Sequence, residues 1–119
     1  MGGFLGLALL SNSLKAQRFR VYINDMWDVA ISKFYLRLSE RLGSVFTALL
    51  AFDEKYEIYE SNVLVIVRKK DLETVREIMR IKREIEREYE DKIVISPYIA
   101  REDEEDVIKT FQRASQTSN

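Results

Sequence analysis

Cysteine and histidine are both absent from this sequence. Without cysteine there can be no disulfide, no thiolate metal ligand and no thiol nucleophile. Without histidine the commonest general base, the commonest metal ligand and every Ser-His arrangement are excluded. Catalysis would have to rest on carboxylates, lysine, arginine or tyrosine. An excess of one charge is also missing: 19 basic and 20 acidic residues leave a net charge of −1. No global field therefore draws in nucleic acid or an anionic membrane, and any such contact needs a local patch. Long apolar runs are lacking too. The N-terminal run, Phe4–Leu10, is seven residues. That is too short to cross a bilayer, and it lacks the basic segment that opens a secretory signal. A cytoplasmic protein without a membrane segment is expected. Only four asparagines, beside plentiful lysine and glutamate, lean toward a thermophilic source.

What is present suits one domain over residues 1–119. Hydrophobic residues make up 46% and charged residues 33%, too apolar for disorder, and the chain is long enough to bury a core. The stretch Ser44–Val67 organises it. Its apolar runs, Val45–Phe52 and Val63–Val67, flank a charged turn region and read as an antiparallel strand pair in the middle of a sheet. The second run is continuously apolar and rich in β-branched residues, the signature of a strand covered on both faces.

The remaining elements follow from periodicity. Met1–Lys15 reads as an apolar N-terminal segment, a short helix packed on the domain or on a second subunit. Arg18–Ile23 alternates as a half-buried strand, with Phe19, Val21 and Ile23 on one face and Arg18, Arg20 and Tyr22 on the other. Asn24 or Asp25 then caps a helix to about Leu42, whose stripe is Trp27, Ile31, Phe34, Tyr35, Leu38 and Leu42. Val29 and Leu36 fall on its opposite side. Gly43 sits where a helix C-terminus wants a left-handed residue.

Asp71–Glu90 is the clearest helix. Asp71 is its N-cap, and Leu72, Val75, Ile78, Met79, Ile85 and Tyr89 form its buried side. Lys82–Glu86 and Arg80–Glu84 pair along its exposed side. Ile93–Ser96 reads as a short strand stopped by Pro97. Arg101–Ala114 reads as a last helix docked by Val107, Ile108 and Phe111, with Glu102–Glu105 against its positive end. Ser115–Asn119 is expected to fray. The sum is an α/β (α+β) domain: helices on a single mixed or antiparallel sheet.

From Trp27 to about Phe111, roughly two thirds of the chain, this order resembles the minimal nucleotidyltransferase domains of archaea and bacteria, in the DNA polymerase beta-like superfamily. The echoes are the spacing from Leu49-Leu50-Ala51-Phe52 to Glu60-Ser61-Asn62-Val63-Leu64-Val65-Ile66-Val67, and Ile95-Ser96-Pro97 before an acidic helix start. The resemblance implies a Gly-Ser turn after the first strand to cradle a nucleotide triphosphate. Here Asp53-Glu54 follows Phe52, and carboxylates repel phosphate; Gly43-Ser44 precedes the strand and fits a helix C-cap. It also implies two Mg²⁺-binding aspartates two residues apart. Asn62 and Leu64 occupy those positions, and Ile93, Val94 and Ile95 stand where the third acid belongs. Shifting the register by two places Glu60 and Asn62 on one face, the remaining candidates for metal.

What the resemblance then implies is a catalytically dead relative acting through protein contacts or homo-oligomerisation. Leu7, Leu10, Val29 and Leu36 are the candidate oligomer contacts, and no cofactor is expected. Two alternatives stand beside it. One is a working metal-dependent nucleotidyltransferase with unusual ligands, using Mg²⁺. The other is a ferredoxin-like βαββαβ module binding nucleic acid or a small ligand, with Arg18, Arg20 and Tyr22 as the contact face. Nucleic acid is the less favoured partner, because Val63–Val67 carries no stacking aromatic. The acids Asp53, Glu54, Glu57 and Glu60 read as a solvated hairpin tip.

Overall fold

The computed structural model describes residues 8–11 and 26–117. The sheet has four strands in sequence order: β1 (Ala8–Ser11), β2 (Phe46–Ala51), β3 (Val63–Val67) and β4 (Pro97–Arg101). The pairs β1–β2 and β2–β3 are antiparallel, whereas β3 and β4 are parallel. The helices are α1 (Met26–Leu42), α2 (Leu72–Glu88) and α3 (Glu105–Thr117), with one 3₁₀ turn at Gly43–Val45. Gly43 has φ +57, the left-handed conformation expected after α1. The molecule is a mixed α/β fold.

Alternation on the strands sorts the core into two layers. Leu49, Ala51, Val63, Val65 and Val67 pack against α1 and α2. Ala48, Leu50, Leu64, Ile66 and Ala100 pack against α3 through Phe111. Every residue of β3 is buried, as its sequence predicts. A register shift between Phe46 and Ala48 inserts one residue, which moves Phe46 to the same side as Leu49, where its ring meets Tyr35 at 5.6 Å.

Several expectations are corrected. Ala8–Ser11 forms a strand on the edge of β2, not part of a helix: pairing there satisfies backbone groups that β2 would otherwise leave open. Residues Arg18–Ile23 lie outside the described residues. The ferredoxin-like arrangement requires a strand inserted between the two parallel ones. Here β4 hydrogen-bonds β3 directly, and the α2 crossover supplies the long connection that parallel neighbours need, so the β3–α2–β4 unit is not split.

In α2, Leu72 (63%) and Met79 (39%) are exposed, and Thr74, Ile81 and Glu86 are buried instead. The reason is α1, which lies antiparallel beside α2 and rotates a different face inward. Arg80 pairs with Glu77, and Glu84 is taken by Arg37 and Arg41 from α1. Lys33 and Arg37 reach Glu88 in the same seam. Asp71 caps α2 as expected, accepting the Thr74 N–H at 2.9 Å. That bond and Lys69 hold its carboxyl down to about 2. Helix α3 begins at Glu105, because β4 extends through Arg101. Its helical span runs to Thr117.

The expected strand Ile93–Ser96 is irregular, and β4 starts at Pro97. Side chains replace the ladder in this segment. Glu54 accepts the Val94 N–H, Glu86 the Ile95 N–H and Asn62 the Ser96 N–H, each at 2.8 Å. Ile93 and Ile95 are thereby held in the core without strand pairing.

Among the described residues β4 is an edge strand, and it is blunted. The Ser96 carbonyl and the Glu102 N–H bond toward β3. By alternation Pro97, Ile99 and Arg101 therefore turn their backbone groups outward. Pro97 has no N–H to offer, and both groups of Arg101 are taken by Glu104. The outward Ile99 N–H has no partner among the described residues. Among the described residues, no helix is long and apolar enough to cross a membrane.

Candidate interaction site

One end of the sheet gathers the features that the core does not require. It comprises the β2–β3 loop (residues 52–62), the segment leading into β4 and the start of α1. Trp27 fixes α1 there by donating its Nε1–H to the Phe52 carbonyl at 2.7 Å.

Asn62 is the clasp of this end. It is 2% exposed, and its Nδ2 donates to the Glu54 and Val94 carbonyls at 2.9 and 3.0 Å. Its Oδ1 accepts the Ser96 N–H. One amide thus ties the loop, the root of β3 and the entry to β4. Neighbouring Glu86 is 3% exposed. Burial pushes its carboxyl up, but bonds from Lys82, the Ile95 N–H and Arg83 outweigh this and hold it below the usual carboxylate range. The Lys82–Glu86 contact expected on the solvent face is therefore a buried anchor, at 2.8 Å.

Five rings run from the core to the surface beside the clasp. Phe52 and Phe111 stack at 5.7 Å with an interplanar angle of 6°. Tyr56 meets the edge of Phe52 at 5.2 Å, while Tyr59 and Tyr98 lie 5.9 and 5.7 Å from Phe111. The inner rings are buried, whereas Tyr56 is 36% and Tyr59 56% exposed.

Tyr59 and Glu60 form a two-residue turn closed by reciprocal Ile58–Ser61 hydrogen bonds of 2.9 and 2.8 Å. Their φ angles are +54 and +61, the twist that hairpins favour but that suits Asn-Gly far better than Tyr-Glu. A left-handed side-chain-bearing residue costs roughly 1–2 kcal/mol. Glu60→Gly is therefore expected to raise the unfolding free energy by about 1 kcal/mol once the entropy gained by the unfolded chain is subtracted. Urea denaturation checks this, and a loss of stability would show that the Glu60 side chain supports the turn.

The sequence-derived candidates fall in different places. Glu60 is exposed in that turn while Asn62 points inward, so the two do not converge. Among the described residues no group of three or more Asp or Glu side chains is placed to hold a metal ion. Leu64, expected from the resemblance to stand where a second aspartate belongs, is fully buried beneath α3. Leu36 is 56% exposed on α1 and Val29 is half-buried. Leu10 lies in β1 opposite Leu49. Leu7, Arg18, Arg20 and Tyr22 lie outside the described residues. Of the acids in the loop, Glu54 is structural, whereas Asp53, Glu57 and Glu60 make no ion pair or side-chain hydrogen bond with described residues. Tyr56 and Tyr59 were not singled out from the sequence, although two tyrosines three apart in a charged turn were the available signal. Comparison with protein-family models, with curated proteins and with solved structures finds no match to this chain.

Proposed function

We propose that this chain is a nucleotidyltransferase-like domain whose catalytic positions have been converted to scaffold, and that it works through contact with a protein partner. The observation that carries the reading is the state of Asn62. At the position resembling the first metal-binding aspartate, its whole amide is committed to backbone groups of Glu54, Val94 and Ser96. Leu64, at the second, lies in the core under Phe111, and Val94 and Ile95 near the third have their N–H groups clasped by carboxylates. The order α1, β2, β3, α2, β4, α3 and the direct parallel pairing of β3 with β4 support the family resemblance over the ferredoxin-like alternative. Asp53 and Glu54 at the end of β2 disfavour a triphosphate by charge.

Titration calorimetry with ATP and Mg²⁺ tests this reading. No saturable heat is expected at millimolar nucleotide. A stoichiometric isotherm that requires both components would establish a working site and overturn the proposal.

A further inference from the structure

Seven large hydrophobic side chains are exposed among the described residues, and four of them lie at one end of the sheet. These are Met26, Tyr56, Tyr59 and Val94. Trp27 joins Met26 to this end through Phe52, and the Asn62 and Glu54 bonds to Val94 join the rest. The two tyrosines are backed by the stacked Phe52–Phe111 pair, so they present rigid faces with little rotamer entropy to lose. Exposed rings of this kind mark a contact surface.

We propose that this face docks an arginine-bearing segment of a partner protein. The loop carries Asp53, Glu54, Glu57 and Glu60 against Lys55 alone, and Asp53, Glu57 and Glu60 make no ion pair or side-chain hydrogen bond with described residues. A guanidinium stacks flat on a tyrosine ring and meets a carboxylate through two parallel N–H donors, which a lysine ammonium cannot do. The same charge repels a nucleic-acid backbone. Strand addition at β4 is disfavoured by Pro97 and the Glu104 cap, and the exposed rings and carboxylates favour side-chain recognition. The other acidic group, Asp103–Asp106, has no exposed ring beside it, and its acids sit at the positive end of α3, where Glu104 caps Arg101. This inference rests on the reading that the domain works through a protein contact, and its test is separate from nucleotide calorimetry.

Fluorescence anisotropy of the full chain with labelled oligo-arginine and oligo-lysine peptides at physiological salt reads the proposal. The arginine peptide is expected to bind about five-fold tighter than the lysine peptide, the scale of one exposed cation–π contact. Tyr56→Ser with Tyr59→Ser should weaken it about ten-fold and erase that preference, whereas Tyr59→Phe should retain both. Glu57→Gln with Glu60→Gln should weaken both peptides, and Glu105→Gln with Asp106→Asn should change neither. The Glu57/Glu60 and Tyr59→Phe arms keep the test decisive if the double tyrosine variant loses its near-UV circular dichroism. Equal binding of both peptides, indifferent to the tyrosines, would overturn the proposal. So would a loss that follows Glu105 and Asp106, or a dimer in light scattering that Tyr59→Ser dissolves, since the occupant would then be a second copy. Failure of the peptide arms with silent nucleotide calorimetry removes the partner class and leaves the non-catalytic reading standing.

Discussion

Asn62→Asp is expected to lower the unfolding free energy by about 4 kcal/mol, although it introduces the residue that the family resemblance would place there. The carboxylate can still accept the Ser96 N–H. It cannot donate, so the Glu54 and Val94 carbonyls, now 2.9 and 3.0 Å from the amide nitrogen, would each face an oxygen. Two acceptors left without donors cost about 1–3 kcal/mol apiece. The sign of the pH dependence follows. A protonated aspartic acid regains one donor, so the ionised form is the disfavoured one and the folded-state pKa of the new residue is raised. The deficit should therefore shrink as pH falls through that value. Urea denaturation at neutral and acidic pH, with and without Mg²⁺, measures both effects. Stability restored by Mg²⁺ at neutral pH would mean that the position retains metal-binding geometry.

Phe111→Ala should cost a similar amount, about 4 kcal/mol, the usual range for removing a buried phenyl ring. Among the described side chains of α3, Phe111 alone is fully buried; Val107, Ile108 and Ala114 are only partly so. It also supports Phe52, Tyr59 and Tyr98. Removing it leaves α3 poorly attached and uncovers Leu64. Val107→Ala, which trims a half-buried residue, should cost about 1 kcal/mol. Denaturation followed by the single tryptophan, Trp27, separates the two variants. A loss under about 1.5 kcal/mol for Phe111→Ala would mean that α3 is held by other contacts.

The two effects concern residues that the sequence presents very differently. Phe111 was legible as the docking residue of an amphipathic helix, because its spacing from Val107 and Ile108 repeats at the helical period. Asn62 was legible only as a departure from an expected aspartate. That its amide serves three backbone partners from residues 54, 94 and 96 depends on segments up to 34 residues away in the chain. Ile93–Ser96 failed for the same reason. A β-branched run before a proline looks like a strand, but here Glu54, Glu86 and Asn62 occupy the backbone donors that a ladder would have used. Glu86 looked like one more surface acid in a charge-rich helix. Its burial follows from how α1 and that segment enclose α2.

By itself the sequence determined the elements whose burial is written in a local period. These are the stripe of α1, the cap and length of α2, and the uniformly apolar β3 that becomes the covered centre of the sheet. It also determined that histidine and cysteine chemistry is closed to this chain. Tertiary structure decided the rest. It paired β3 directly with β4, placed Ala8–Ser11 on the edge of β2, turned Leu72 and Met79 outward, and gathered Tyr56, Tyr59, Met26 and Val94 at one end. The physical reason is common to all of them. Each depends on which distant surface a residue meets, and an element's own periodicity carries no information about the partner that will cover it.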